Sequence, residues 1–413
     1  MSFLRMLAIG GIYALASAGW ALLGTTTMFR ADQFSSSLEE QVRRLFGGPV
    51  VQTAPEFTVK LPGSDATRQV LPAGNRVEVR LVSDPRRKGL VWYPTFVCDF
   101  SGSYTLENPE EAAQKVRVAF RFPSPGGTYD NFRFDVDGRS ADVPVDTSAG
   151  VGEIVEVPGR TGGENGKRTV TVAYRTRGLS EWRYRPAPGA GLVRGLDLTV
   201  RTNCHDYDFP EGTLSPTTPA GERRAPEGGG VLRWQAGDLI TAQDIGVAMP
   251  VKLNPGPLSA RITWFAPVCL FFFFVIVATI GIVRGVNIHP MHYLFVAGGF
   301  FAFHLLFAYL VDHLPLHAAF ALAAAAAVTL VTLYLRAALG RSFSWRWAAL
   351  AELLYLVLFS YSFFLKGFTG LTVTVGAVVT LGVLMAVTAR TDWGAVFGGR
   401  RRAEPAPEAR PAR

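Results

Sequence analysis

Six stretches of this chain are too apolar to be comfortable in water, and a helix crossing a bilayer needs roughly 20 such residues. Residues 6–29 carry no charge and are bracketed by Arg5 and Arg30. Further runs follow at 262–283, with four consecutive phenylalanines from Phe271 to Phe274, and at 291–311, 314–335, 347–365 and 367–389. Only the fifth contains a charge, Glu352. Ala14-Leu15-Ala16 is similar to a signal-peptidase site, but the apolar run continues to Leu23, which suits an anchor.

The short connections set an orientation. If the spans alternate, Arg5, Arg284, Arg336, Arg341, Arg346, Arg390 and Arg400 to Arg402 share one side, while Asp312 and Lys366 face the other. Positive charge marks the cytoplasm. Both termini are then cytoplasmic, and residues 31–261 lie outside it. That block holds as many acidic as basic side chains, so the net charge of +8 comes from the flanks. A basic excess confined to span ends is a topology signal, and it points away from a nucleic-acid partner.

Within 31–261 the pattern changes to period two. Arg76-Val77-Glu78-Val79-Arg80-Leu81 and Thr169-Val170-Thr171-Val172-Ala173-Tyr174 alternate polar and apolar residues, as half-buried strands do. Asp137-Gly138, Pro125-Gly126-Gly127 and Asn165-Gly166 punctuate the strands, and Asn165-Gly166 reads as a hairpin turn. The pattern predicts an antiparallel sandwich of about eight to twelve strands. Before it, Ser36 or Ser37 is placed to cap a short helix over 36–46, ended by Gly47.

The expected fold is an integral membrane protein: an α-helical transmembrane bundle of one plus five spans with an inserted all-β extracytoplasmic domain. Its parts are an anchor at 1–30, the β-rich domain at 31–261, a five-helix bundle at 262–393 and a disordered cytoplasmic tail at 394–413.

Motifs of chemistry are sparse. Gly162-Gly163-Glu164-Asn165-Gly166-Lys167-Arg168 lacks both the first glycine and the Ser/Thr of a phosphate loop. His205, Asp206, Asp208 and Glu211 cluster without a calcium-loop register. His313 and His317 are four apart, but Pro315 intervenes and no third ligand is evident. No metal, cofactor or catalytic motif emerges. Cys98 and Cys204 would share an oxidising compartment; whether they are close enough to form a disulfide is open. His304 and Glu352 are ionisable residues inside predicted spans, either packed against polar neighbours or serving a proton pathway.

One stretch reads Ile288-His289-Pro290-Met291-His292-Tyr293-Leu294-Phe295-Val296-Ala297-Gly298. Pro290 fits the first turn of a helix, and Tyr293 fits interfacial depth. The stretch resembles a Leu-His-Pro-Met-Gln-Tyr-Leu-Leu-Val-Gly motif of the inner membrane protein CreD family, also called cell envelope integrity inner membrane proteins. Val311-Asp312-His313 resembles that family's Ser-Glu-His, and Ala389-Arg390-Thr391-Asp392-Trp393 its Thr-Arg-x-x-Asp-Trp. Two departures stand out: His292 replaces a glutamine, and Leu365-Lys366-Gly367-Phe368-Thr369-Gly370 replaces an acidic stretch. The resemblance implies a multi-pass bacterial inner membrane protein with a periplasmic region and a role in envelope integrity and stress response. The lipid bilayer is the first expected partner, and a periplasmic protein, lipid or glycan the second. A non-enzymatic binding role through the β domain is expected, and a transporter or flippase-like role using His304 and Glu352 is the alternative.

Overall fold

The computed structural model describes residues 3–89, 91–161, 164–187, 191–223, 228–340, 344–365, 367–389 and 391. The chain divides into two units, residues 1–34 with 254–413, and residues 35–253.

The first unit is helical. Among the described residues six helices are long and apolar enough to cross a membrane. They are α1 (Phe3–Phe46), α2 (Pro255–Val283), α3 (Pro290–Leu310), α4 (Leu316–Leu339), α5 (Trp345–Phe364) and α6 (Thr369–Thr388). Proline starts α2 and α3, where its missing N–H has no helical partner to lose. α2 therefore begins at Pro255, seven residues ahead of the expected 262. The core is aromatic and small: Trp20, Phe273, Phe300, Phe303 and Phe307 pack with Ala319, Ala323 and Ala327. Gly376 lets α6 come close to α5, since a Cβ there would stand 2.4 Å from Phe359 Cε1. The outer surface is apolar too. Leu371, Val375, Val378 and Val379 of α6 are exposed, which suits a hydrocarbon solvent and would be a liability in water.

α1 corrects one expectation. It runs unbroken through Ser35, Ser36 and Ser37, so no separate helix starts there. Three serines lower helix propensity by only tenths of a kcal/mol each, and hydrogen-bonded neighbours on both sides carry the helix across. It ends at Phe46 as expected, where Gly47 turns at φ +85° and its N–H reaches Arg43 O at 2.9 Å.

The second unit is β-rich, with sixteen strands among the described residues. A seven-stranded sheet runs β10 (Arg139–Ser140), β9 (Tyr129–Val136), β12 (Gly166–Leu179), β7 (Thr95–Asn108), β4 (Gly74–Ser83), β14 (Gly191–Thr202), β15 (Gly230–Thr241). A four-stranded sheet runs β11 (Val151–Val157), β8 (Gln114–Phe120), β2 (Glu56–Lys60), β3 (Thr67–Gln69). A three-stranded sheet holds β1 (Val50–Thr53), β13 (Glu181–Arg185) and β16 (Ile245–Ala248), and a ribbon pairs β5 (Arg86–Lys88) with β6 (Val91–Tyr93). The first three sheets share one core: Val77, Val79, Phe100 and Val172 from the first, Phe57, Val118 and Phe120 from the second, Trp182 and Ile245 from the third.

The expected count of eight to twelve strands was low, because short strands such as β3 and β10 carry no periodicity to read. The pairing is also mixed, with β14 parallel to β4 and β1 parallel to β13. Asp137-Gly138, expected as a turn, forms a hairpin at φ 49° and 75° between β9 and β10. Asn165-Gly166 does not. Gly166 opens β12 opposite Asn108 of β7, while β11 pairs with β8 in another sheet. The alternating runs beside Asn-Gly are adjacent in sequence but do not pair with each other.

Candidate functional site

A cavity of about 780 Å³ lies over the face of the seven-stranded sheet turned away from the core. Period two places every second residue of each strand on that face, and register then brings the strands into line. Arg175 of β12 stands opposite Asp99 of β7, Asp99 opposite Arg80 of β4, and Arg80 opposite Arg201 of β14. The next rung reads Arg133, Ala173, Ser101, Glu78 across β9, β12, β7 and β4. Beneath both rungs Val79, Phe100 and Tyr174 face the core.

The charges on this groove are not balanced. Arg175 takes both oxygens of Asp99, at 2.5 and 3.2 Å, and that carboxylate holds the Arg175 guanidinium above its ordinary value. Arg201 approaches Glu78 at 4.0 Å. Neither Arg80 nor Arg133 has a side-chain hydrogen bond or ion pair among the described residues. One wall is lifted by a register shift between β12 and β9, where Asn131 takes φ 53°; such bulges bend a strand locally.

The cysteines are free. Thr202 pairs with Leu81, and Leu81 with Cys98, so β4 stands between Cys98 and the strand leading to Cys204. Two strand spacings are about 10 Å, beyond the Cα reach of a disulfide. Burial, then the charge of Asp99, pushes the Cys98 thiol up, away from thiolate chemistry. In the loop that follows, His205 Nε2 accepts the Gly229 N–H at 3.0 Å.

In the helical unit the motif residues stitch helices together. His289 caps α3, its Nδ1 accepting the Met291 N–H at 3.2 Å, with Pro290 at the first position. His292 Nδ1 meets Tyr334 Oη of α4 at 2.8 Å. Tyr293 is buried edge-on against Phe274 of α2, and Arg5 donates to Asn287. Met291 itself is exposed. Asp312 pairs with Arg30 at 3.8 Å, and the same guanidinium lies 5.1 Å over the Tyr309 ring. His313 only closes a turn through its backbone N–H to Leu310 O, and His317 packs on Phe364 and Tyr361. Among the described residues no three His, Cys, Asp or Glu side chains gather as metal ligands. Arg390, Asp392 and Trp393 lie outside the described residues, as does the tail.

Two ionisable side chains of the helical unit, His304 and Glu352, are wholly buried with polar atoms left unpaired. His304 donates from Nδ1 to Phe300 O at 2.8 Å, and its Nε2 has no partner. Trp20 meets its ring edge-on at 5.6 Å, and the Trp20 Nε1–H is also unpaired. Glu352 is 0% exposed, and neither carboxylate oxygen has a partner. It stands where α5 changes to a π-helical turn, Leu353–Leu358, a distortion common at functional sites. At 1.5 Å per residue, Glu352 lies about 10 Å from the start of α5, and His304 about 21 Å from the start of α3. No hydrogen bond joins them.

Residues 233–394 match the model of a family described as inner membrane protein CreD. Over this segment the chain is similar to inner membrane protein CreD. The CreD match takes in α2 through α6, and with them His289, His304, Asp312 and Glu352. The groove residues, Glu78 to Val231, precede it. No curated protein matches the chain. Among solved structures, a Legionella pneumophila protein described as a "putative nutrient binding protein" is similar over 66% of this chain and 97% of its own. The identity is 10% and the TM-score 0.32, too slight to carry anything over about fold or ligand.

Proposed function

We propose that this CreD-like protein is a multi-pass inner membrane protein that supports envelope integrity by non-enzymatic binding in the periplasm. Both termini would be cytoplasmic, following the arginine-rich span ends, and the sandwich-like β unit would be periplasmic. The observation that carries the binding reading is the groove: a cavity of about 780 Å³ with arginines held ready on a rigid sheet. Ligand sites of small molecules commonly fall in this size range and on such scaffolds.

A second reading has its own support. His304 and Glu352 bury polar atoms that a purely structural bundle would not keep unpaired, as a transporter's coupling groups would.

Detergent sensitivity of a strain deleted for the gene separates the two. The strain is complemented with the full chain, with Arg80→Gln/Arg133→Gln, and with His304→Ala or Glu352→Gln. Loss of rescue only with the groove variant supports the binding reading. Loss only with the intramembrane variants overturns it in favour of transport.

A further inference from the structure

We infer that the groove takes a small hydroxylated oxyanion, a sugar acid or sugar phosphate, with its charged group between Arg80 and Arg201. This rests on the binding reading above and names the ligand's chemistry.

Arg80 and Arg201 face each other directly across the parallel pair β4–β14, on the same side of the sheet. Like charges directly opposite destabilise a sheet. The obvious relief for Arg80 is Asp99, its partner on the other side, but both Asp99 oxygens are engaged by Arg175. Glu78 lies 4.0 Å from Arg201 and offsets that repulsion only in part. Among the described residues the lining therefore holds four arginines, 80, 133, 175 and 201, against two carboxylates, Glu78 and Asp99. An oxyanion placed between Arg80 and Arg201 would turn the repulsive pair into two charge-assisted forks, the geometry guanidinium favours for carboxylate and phosphate.

The rest of the ligand is suggested by what surrounds that point. Ser101 and Asn131 line the groove and make no side-chain hydrogen bond among the described residues. Asn203, by contrast, is committed to the Ser83 backbone through both its amide atoms. A free hydroxyl and a free amide suit hydroxyl groups, and among the described residues no exposed aromatic ring is present in the lining to stack on a neutral sugar.

The test is calorimetric titration of the full chain in zwitterionic nanodiscs, with glucuronate, glucose 6-phosphate and neutral glucose as probes. Both anions are expected to bind, about tenfold or more tighter than glucose, and to weaken as salt is raised. Arg80→Gln and Arg201→Gln should each weaken anion binding by about tenfold or more, whereas Arg68→Gln, outside the groove, should not. Glu78→Gln should leave binding unchanged or tighten it. Glucose bound as tightly as the anions, and lost with Asn131→Ala, would overturn the oxyanion and keep the groove as a binding site. Anion binding indifferent to Arg80→Gln, or no binding of any probe, would overturn the inference. Recruitment of the chain to phosphatidylglycerol vesicles with no binding of the small anions would do so too.

Discussion

Glu352→Leu offers a measurement that reads stability and function separately. The carboxylate has no exposed surface, and both of its oxygens lack a partner. A buried polar group left unpaired costs about 1–3 kcal/mol. Leucine keeps roughly the same volume and removes that cost, so the helical unit should gain about 1–3 kcal/mol. For a unit of this size each kcal/mol is worth roughly 2–4 °C, which gives a rise of about 2–12 °C. Cys269 provides the reporter, because it is buried in the same helical core. In a Cys98→Ala/Cys204→Ser background a thiol-reactive dye reads the opening of the bundle alone. Glu352→Gln keeps a polar group and should change the melting point little. If the leucine variant melts lower by several degrees, the carboxyl is held by interactions that this reasoning leaves out, and the argument fails. If it melts higher yet does not restore detergent resistance, the chain retains an unfavourable group for what it does.

Two further outcomes test the β unit. Gln52 is buried, donates from Nε2 to Thr53 O and Arg121 O at 2.6 and 3.1 Å, and accepts from Tyr174 Oη at 2.6 Å; Gln52→Leu strands three polar groups and should cost about 2–4 kcal/mol in urea melts followed by near-ultraviolet dichroism, against no change if the network is slack. Lys167 donates a hydrogen bond to Glu107 and holds its carboxyl below the ordinary value. Because the folded value is the lower one, the contribution is present above the unfolded value of about 4.3 and fades as pH falls through the folded one. Glu107→Gln should therefore flatten the fall in melting temperature between about pH 5 and 3, and an unchanged slope would remove the pair from the account.

The long apolar helices were legible because their sequence signal is simple: length and absence of charge suffice. Pro290 at the head of α3 was legible for the same local reason, since proline has few places in a helix. Strand existence could also be read, as in β4, where Val77, Val79 and Leu81 point inward and Arg76, Glu78 and Arg80 outward. What could not be read was which strand lies beside which. Asn165-Gly166 looked like a hairpin because its flanking runs are consecutive, yet β12 pairs with β7 and β9. The groove is lost to sequence reading by the same gap. Arg80 and Arg201 lie on β4 and β14, with nine of the named strands between them in the chain, and only the parallel register makes them face each other. An alternating pattern identifies arginines that point away from the core, where a lone arginine is ordinary. It is the lateral order of strands that turns four such residues into one unbalanced surface. Binding chemistry on a sheet face is thus a property of topology, whereas a buried charge such as Glu352 announces itself within a single apolar run.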